Sequence, residues 1–236
     1  MTLALAALGL IAGVLTTVAG QGGGLFLLLA VAALVGPHEA LAITAPALLL
    51  GNLHRAALFR RLVDRGLAVR MIVGALPGAF IGGLLAGATP AWVLQVLLVG
   101  LTLLSLARAA RWLRFDVPRA GLAPAAFVIG GLTGTAGGAG VLYSPVLLAT
   151  GITGGAYVGT LSSIAVATHV GRVFAYASSG FFTRQLVLPI LAVAVAITVG
   201  NAFGERARRI LSERAATRLE YGVLVACVGV SLVGAF

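Results

Sequence analysis

A chain built of successive apolar runs, with scarcely a charge inside them, has to satisfy its backbone polar groups internally, because hydrocarbon offers them no hydrogen bonds. Over 236 residues this chain has such runs at 2–19, 23–35, 40–59, 67–88, 91–110, 121–135, 140–151, 156–178, 184–204 and 217–236. A helix needs about 20 residues to cross a bilayer. The stretches 23–35, 121–135 and 140–151 fall short of that, and 2–19 is marginal. These four form two pairs, and each pair flanks a glycine cluster, "TTVAGQGGGLF" from Thr16 and "TGTAGGAGV" from Thr133. Glycine weakens a helix interior by about 1 kcal/mol relative to alanine, so both clusters read as breaks in the helix.

Composition agrees with a membrane protein. The chain is 60% hydrophobic and 9% charged, where soluble domains carry roughly 25% charged residues. A net charge of +10 in a soluble domain would suggest nucleic acid. Here it reads as topology, since cytoplasmic loops collect basic residues, and no nucleic-acid partner is expected. The sixteen basic residues are all Arg, a bias that genomic codon usage explains. The lone Cys227 excludes an intrachain disulfide and a cysteine metal cluster. The N-terminal run lacks the basic region of a signal peptide and is read as part of the mature protein.

The two clusters resemble each other. "LTTVAGQGGG" at 15–24 and "LTGTAGGAGV" at 132–141 match at five of ten positions with an offset of 117. Downstream, Gly66 and Arg70 face Gly180 and Arg184, Thr44 faces Thr160, and Asn52 faces Thr168. The shared order points to an internal duplication. Arginine positions then set the topology. Thirteen of the sixteen lie in three clusters: 60, 61, 65 and 70; 108, 111, 114 and 119; 206, 208, 209, 214 and 218. If all three are cytoplasmic, an even number of crossings separates them. That holds only if 121–151 enters and returns as a hairpin; by the repeat, 2–35 does the same. The expected fold is an all-α polytopic membrane protein with a first repeat over 1–115 and an inverted second repeat over 116–236. Each repeat is a glycine-tipped hairpin (2–35; 121–151) plus three spans (40–59, 67–88 and 91–110; 156–178, 184–204 and 217–236). Both termini then lie outside the cytoplasm. Inverted repeats with broken helices at mid-depth are a pattern of secondary transporters.

After each tip a half-helix is expected, near Gly23 and near Gly140. Its first N–H groups lack partners and carry the positive end of the helix dipole, which suits an anion. The candidate binding residues are Gln21, Gly22, Gly23, Asn52, Thr135, Gly137, Gly138, Thr168 and Arg172. Thr16, Thr17 and Thr133 are further hydroxyl donors. The competing reading of the glycines is close helix packing of the GxxxG kind. Arg55, His169, Thr44, Thr160 and Ser163 are secondary or gating candidates. Arg55 is near the first arginine cluster, within snorkelling reach of the interface, and Arg172 has the outer interface as its alternative. His54 and His169 also read as ordinary hydrogen-bonded residues. The six acids, Glu39, Asp64, Asp116, Glu205, Glu213 and Glu220, all lie in or beside loops. Cation and metal transporters place carboxylates, histidines or thiolates inside, so the pattern favours an anion; no metal site and no cofactor are expected.

The chain resembles the TauE/SafE sulfite exporters over nearly its whole length. The resemblance rests on "TTVAGQGGGLF", "TGTAGGAGVLYSPVL", "ITAPALLLGNLHRAALFRR" and "RGLAVRMIVGALPGAFIGGLLAG". It implies export of sulfite, sulfoacetate or a related organosulfur anion across the bacterial inner membrane, with the lipid bilayer as surroundings and a homo-oligomer compatible. One departure is Leu28, standing where the second repeat has Pro145. The alternatives are transport of another small anion or a metal ion, an intramembrane enzyme around Ser179 and His169, and a non-transporting assembly subunit. The enzyme is disfavoured because ten helical residues separate that serine and histidine by about 15 Å.

Overall fold

The computed structural model describes residues 1–19, 22–109 and 117–211, together with residues 219, 222, 225, 226 and 229. The expected last span therefore lies outside the described residues apart from those five, as do Gln21 and Arg111 and Arg114 of the second arginine cluster. The described chain is helical throughout: α1 (Thr2–Ala19), α2 (Gly23–Val35), α3 (Pro37–Leu58), α4 (Arg65–Ala88), α5 (Ala91–Ala109), α6 (Leu122–Ala136), α7 (Tyr143–Leu148), α8 (Gly154–Ser178) and α9 (Val187–Ile210). Four stretches are long and apolar enough to cross a membrane: Pro37–Leu58, Arg65–Ala88, Gly154–Ser178 and Arg184–Ala207. The helices before and after each glycine cluster are shorter, as their sequence lengths require.

Both clusters break the chain. Gly22 turns at φ +89 before α2, and Gly137 and Gly138 turn at φ +73 and +71 after α6, conformations that only glycine adopts without strain. The second break differs from expectation. No single half-helix follows it; a 3-10 turn over Ala139–Leu142 leads into the six-residue α7.

Glycine also serves the packing reading, but at other positions. A Cβ on Gly74, Gly78 or Gly82 of α4 would strike the carbonyl of Ala123, Phe127 or Gly131 of α6, and one on Gly130 or Gly134 would strike Ala75 or Ala79. The register shows α4 and α6 running parallel in backbone contact, the small-residue seam of membrane helices. Gly9 and Gly13 of α1 meet Val193 and Ile197 of α9 in the same way, and Gly200 and Gly204 meet Leu10 and Val14. The opposite faces carry exposed large apolar side chains at helical spacing, Val69, Val73, Leu76, Phe80 and Leu84 on α4, and Leu188, Leu191, Val195, Val199 and Phe203 on α9. Small residues inward and large apolar ones outward suit a lipid surround.

The polar ends sort into two groups. The backbone N–H of Asp64 donates to Thr160 Oγ1 at 2.9 Å, and a Cβ on Gly155 would meet Leu62, so the α3–α4 turn lies beside the start of α8. At the other end, His38 Nε2 donates to the Thr89 carbonyl at 3.1 Å, and its ring is tilted against Phe181 at 5.9 Å. Arg60, Arg61, Arg65 and Arg70 are exposed in or just beyond the α3–α4 turn.

Replacing Gly82 by Val forces a branched side chain into the Gly131 carbonyl. The expected result is a loss of about 1–3 kcal/mol, read as a lowered detergent melting temperature. Gly100→Val, where nothing lies within 4 Å, is expected to leave it unchanged.

Candidate functional site

Between the two breaks lies a cavity of about 90 Å³, room for several waters or one small oxyanion. Gly22 and Gly24 reach it from the first break, Gly138, Gly140 and Val141 from the second. α3 contributes Leu48, Asn52 and Arg55; α8 contributes Leu161, Ala165, Thr168, His169 and Arg172. Thr16, Thr133, Leu25, Leu28 and Tyr143 complete the wall. No Asp or Glu lines it among the described residues.

The first half is closed on itself. Thr16 Oγ1 donates back to the Ala12 carbonyl at 2.6 Å. Arg55 is 4% exposed and does not snorkel: it donates to the Thr16 carbonyl at 2.9 Å and to Asn52 Oδ1 at 2.6 Å. Asn52 Nδ2 in turn donates to the Leu48 carbonyl at 2.8 Å. Arg55 thus satisfies a carbonyl in the last turn of α1, a role cations favour at helix C-termini.

The second half divides that work differently. Thr133 Oγ1 donates one turn back to the Ile129 carbonyl at 2.6 Å, as Thr16 does to that of Ala12. The late carbonyl of α6, on Gly134, accepts from Tyr176 at 2.6 Å instead of from an arginine. Arg172, 1% exposed, donates through Nε to Tyr176 OH at 3.3 Å and through Nη1 to His169 Nδ1 at 3.1 Å. The second bond requires His169 to present an unprotonated nitrogen. The guanidinium lies 5.4 Å from the centre of the Tyr176 ring, which stacks on Phe181 at 4.8 Å. Arg172 Nη2 is buried and has no partner among the described residues. It lies 3.4 Å from where a Cβ on Gly137 would stand. A buried, unmatched guanidinium N–H in a wall without carboxylates can serve an anion.

The sequence candidates are thus partly assembled. Gly22, Asn52, Gly138, Thr168, Arg172, Arg55 and His169 line one cavity. Gly23 and Gly137 stand beside it without lining it, Gly23 packed against Thr16 and Ala12. Four hydroxyls are engaged elsewhere. Thr135 ties α6 to the Gly82 carbonyl of α4 at 3.0 Å, and Thr160 receives the Asp64 N–H. Thr44 and Ser163 bond to the carbonyls of Ala40 and Gly159, one turn back in their own helices. Thr135 misses because the break falls after Ala136, leaving it on the seam face of α6. Two tyrosines were not singled out. Tyr143 OH shares a 3.1 Å bond with Thr168 Oγ1, and Tyr176 holds Arg172. The position of Tyr143 directly after the second cluster was a readable signal; that of Tyr176, one turn beyond Arg172, was a weaker one.

A family model described as "Sulfite exporter TauE/SafE" matches residues 5–232. The chain belongs to the TauE/SafE sulfite exporter family. It is therefore a multi-pass membrane protein of a transporter family, in agreement with its apolar helices. No curated protein and no solved structure matches it.

Tyr176→Phe keeps the stack but removes both hydrogen bonds of the hydroxyl. It leaves the Gly134 carbonyl and Arg172 Nε unpaired in a buried site, so a destabilisation of about 1–3 kcal/mol is expected, measured by detergent unfolding; Phe181→Leu, which spares those bonds, is expected to cost less.

Proposed function

We propose that this protein exports a small sulfur-containing anion, sulfite or an organosulfonate such as sulfoacetate, held between the two glycine breaks. The observation that carries the reading is Arg172 Nη2, a buried cationic donor without a partner among the described residues, facing a cavity without carboxylates. A charged side chain at membrane depth costs about 2.5–3.5 kcal/mol even on the lenient insertion scale, and such residues mark pathways. An anion on Nη2, on the α2 N-terminus at Gly23 and on the backbone around Gly138–Gly140 would offset that cost.

The inverted repeat belongs to the same proposal. Its support is an exchange of neighbours: α4 packs on α6 as α9 packs on α1, α4 on α8 as α9 on α3, and α3 meets α8 across the middle. Swapping the halves maps each contact onto another. The end of α3 meets the start of α8, as two inverted copies would. With the arginine-rich turn inside the cytoplasm, residues 62–66 and 151–155 face inward, 36–39 and 179–183 face outward, and both termini lie outside an inner membrane. Single-cysteine labelling in intact cells tests this: reagent should reach 36–39 and 179–183 and spare 151–155, and labelling of 151–155 together with 36–39 contradicts it.

Binding is tested by thermal shift of purified protein with sulfite, sulfoacetate, sulfate, thiosulfate and divalent metals. Arg172→Lys is expected to weaken anion binding by about 1.5–3 kcal/mol, the scale of a charge-assisted hydrogen bond. Stabilisation by metals alone, or equal anion affinity in Arg172→Lys and parent, overturns the proposal.

A further inference from the structure

The cavity lining mixes polar and apolar side chains, and this bears on what it can admit. Its polar part comes from Asn52 and Arg55 on α3, from Thr168, His169 and Arg172 on α8, from Tyr143 and from the two breaks. The other lining residues include Leu25, Leu28, Leu48, Val141, Leu161 and Ala165. Leu28 is the lining leucine beside the donor that has no partner among the described residues. Its Cδ2, Leu41 Cδ2 and Arg172 Nη2 all crowd the spot a Cβ on Gly137 would take, Leu41 at 3.1 Å and the nitrogen at 3.4 Å. Leu28 is 1% exposed, so an anion on Nη2 meets its methyl groups with no water between. The two halves also differ at this position, with Leu28 in the first and Pro145 in the second.

Resting on the anion reading above, we propose that Leu28 is a specificity-determining residue that selects anions with three oxygens on one side and an apex that needs little or no hydrogen bonding on the other. In sulfite the apex is a sulfur lone pair, in an alkanesulfonate a methyl or methylene, in thiosulfate a terminal sulfur that is a larger, softer and much weaker hydrogen-bond acceptor than oxygen. Three oxygens face the donors and the apex rests on Leu28. Sulfate and phosphate have no such face. Whichever way they turn, a charged or hydroxylated oxygen is pressed on a leucine methyl, stripped of water and given no donor, which is costly. Exclusion comes from an unsatisfiable oxygen and not from size, since sulfate and thiosulfate share charge and geometry and thiosulfate is the larger.

The test is thermal-shift titration of the purified full chain with thiosulfate, sulfate, methanesulfonate and propanesulfonate. Thiosulfate and methanesulfonate should bind at least about 10-fold more tightly than sulfate, the discrimination expected of one unsatisfied buried group. Leu28→Asn should admit sulfate and narrow the thiosulfate-to-sulfate ratio. Should that variant fail to fold, Leu28→Ala keeps the question open to experiment. The space it frees should raise propanesulfonate affinity relative to methanesulfonate, while sulfate remains weak. Sulfate binding as well as thiosulfate in the parent, or a Leu28→Ala chain whose alkanesulfonate preference is unchanged, overturns the assignment to Leu28. Failure of every anion to stabilise the parent would instead overturn the underlying anion reading.

Discussion

Ending a helix inside a membrane leaves its last carbonyls and the next helix's first N–H groups without water, and everything around the two breaks in this protein answers that constraint. At the end of α1 the answer is Arg55, bonded to the Thr16 carbonyl. At the end of α6 it is Tyr176, bonded to the Gly134 carbonyl. The two solutions are not equivalent electrostatically. In the first half the arginine is committed to backbone and to Asn52. In the second the tyrosine takes that task, and one guanidinium nitrogen of Arg172 is left without a partner among the described residues.

The seams make this geometry rigid. Glycines at four-residue spacing let α4 lie against α6, and α1 against α9, with backbones touching. Each broken helix is therefore clamped along its length by a full-length partner and positioned to the depth where it stops. The stack from Arg172 through Tyr176 and Phe181 to His38 further ties the donor to the start of α3 and the connection after α8.

Much of this was legible in the sequence. The undersized apolar runs and their glycine clusters marked where the helices stop, and the shared glycine order aligned Thr16 with Thr133 and Asn52 with Thr168. The family resemblance agrees with the match over residues 5–232. Two things were not legible. Glycine does two things at different positions: Gly22, Gly137 and Gly138 turn the chain, whereas Gly74, Gly78, Gly82, Gly130 and Gly134 pack it. Spacing alone does not say which, because the distinction lies in φ and in the neighbouring helix. The second is hydroxyl bookkeeping. Thr44, Thr135, Thr160 and Ser163 look available in a string of letters, yet each finds a backbone group nearby, as buried hydroxyls generally do. Arg55 departs from the snorkelling expectation: it is buried and bonded to the Thr16 carbonyl and to Asn52.

The measurement closest to the central claim is to locate a heavy analogue of the anion directly. Selenite has the shape and charge chemistry of sulfite, and selenium scatters anomalously. A crystal of the protein grown with selenite should show a selenium peak in the cavity, within hydrogen-bonding distance of Arg172 and between the breaks at Gly22 and Gly138. A peak only at the exposed arginines 60–70, or none in a crystal saturated with the ion, would contradict the account.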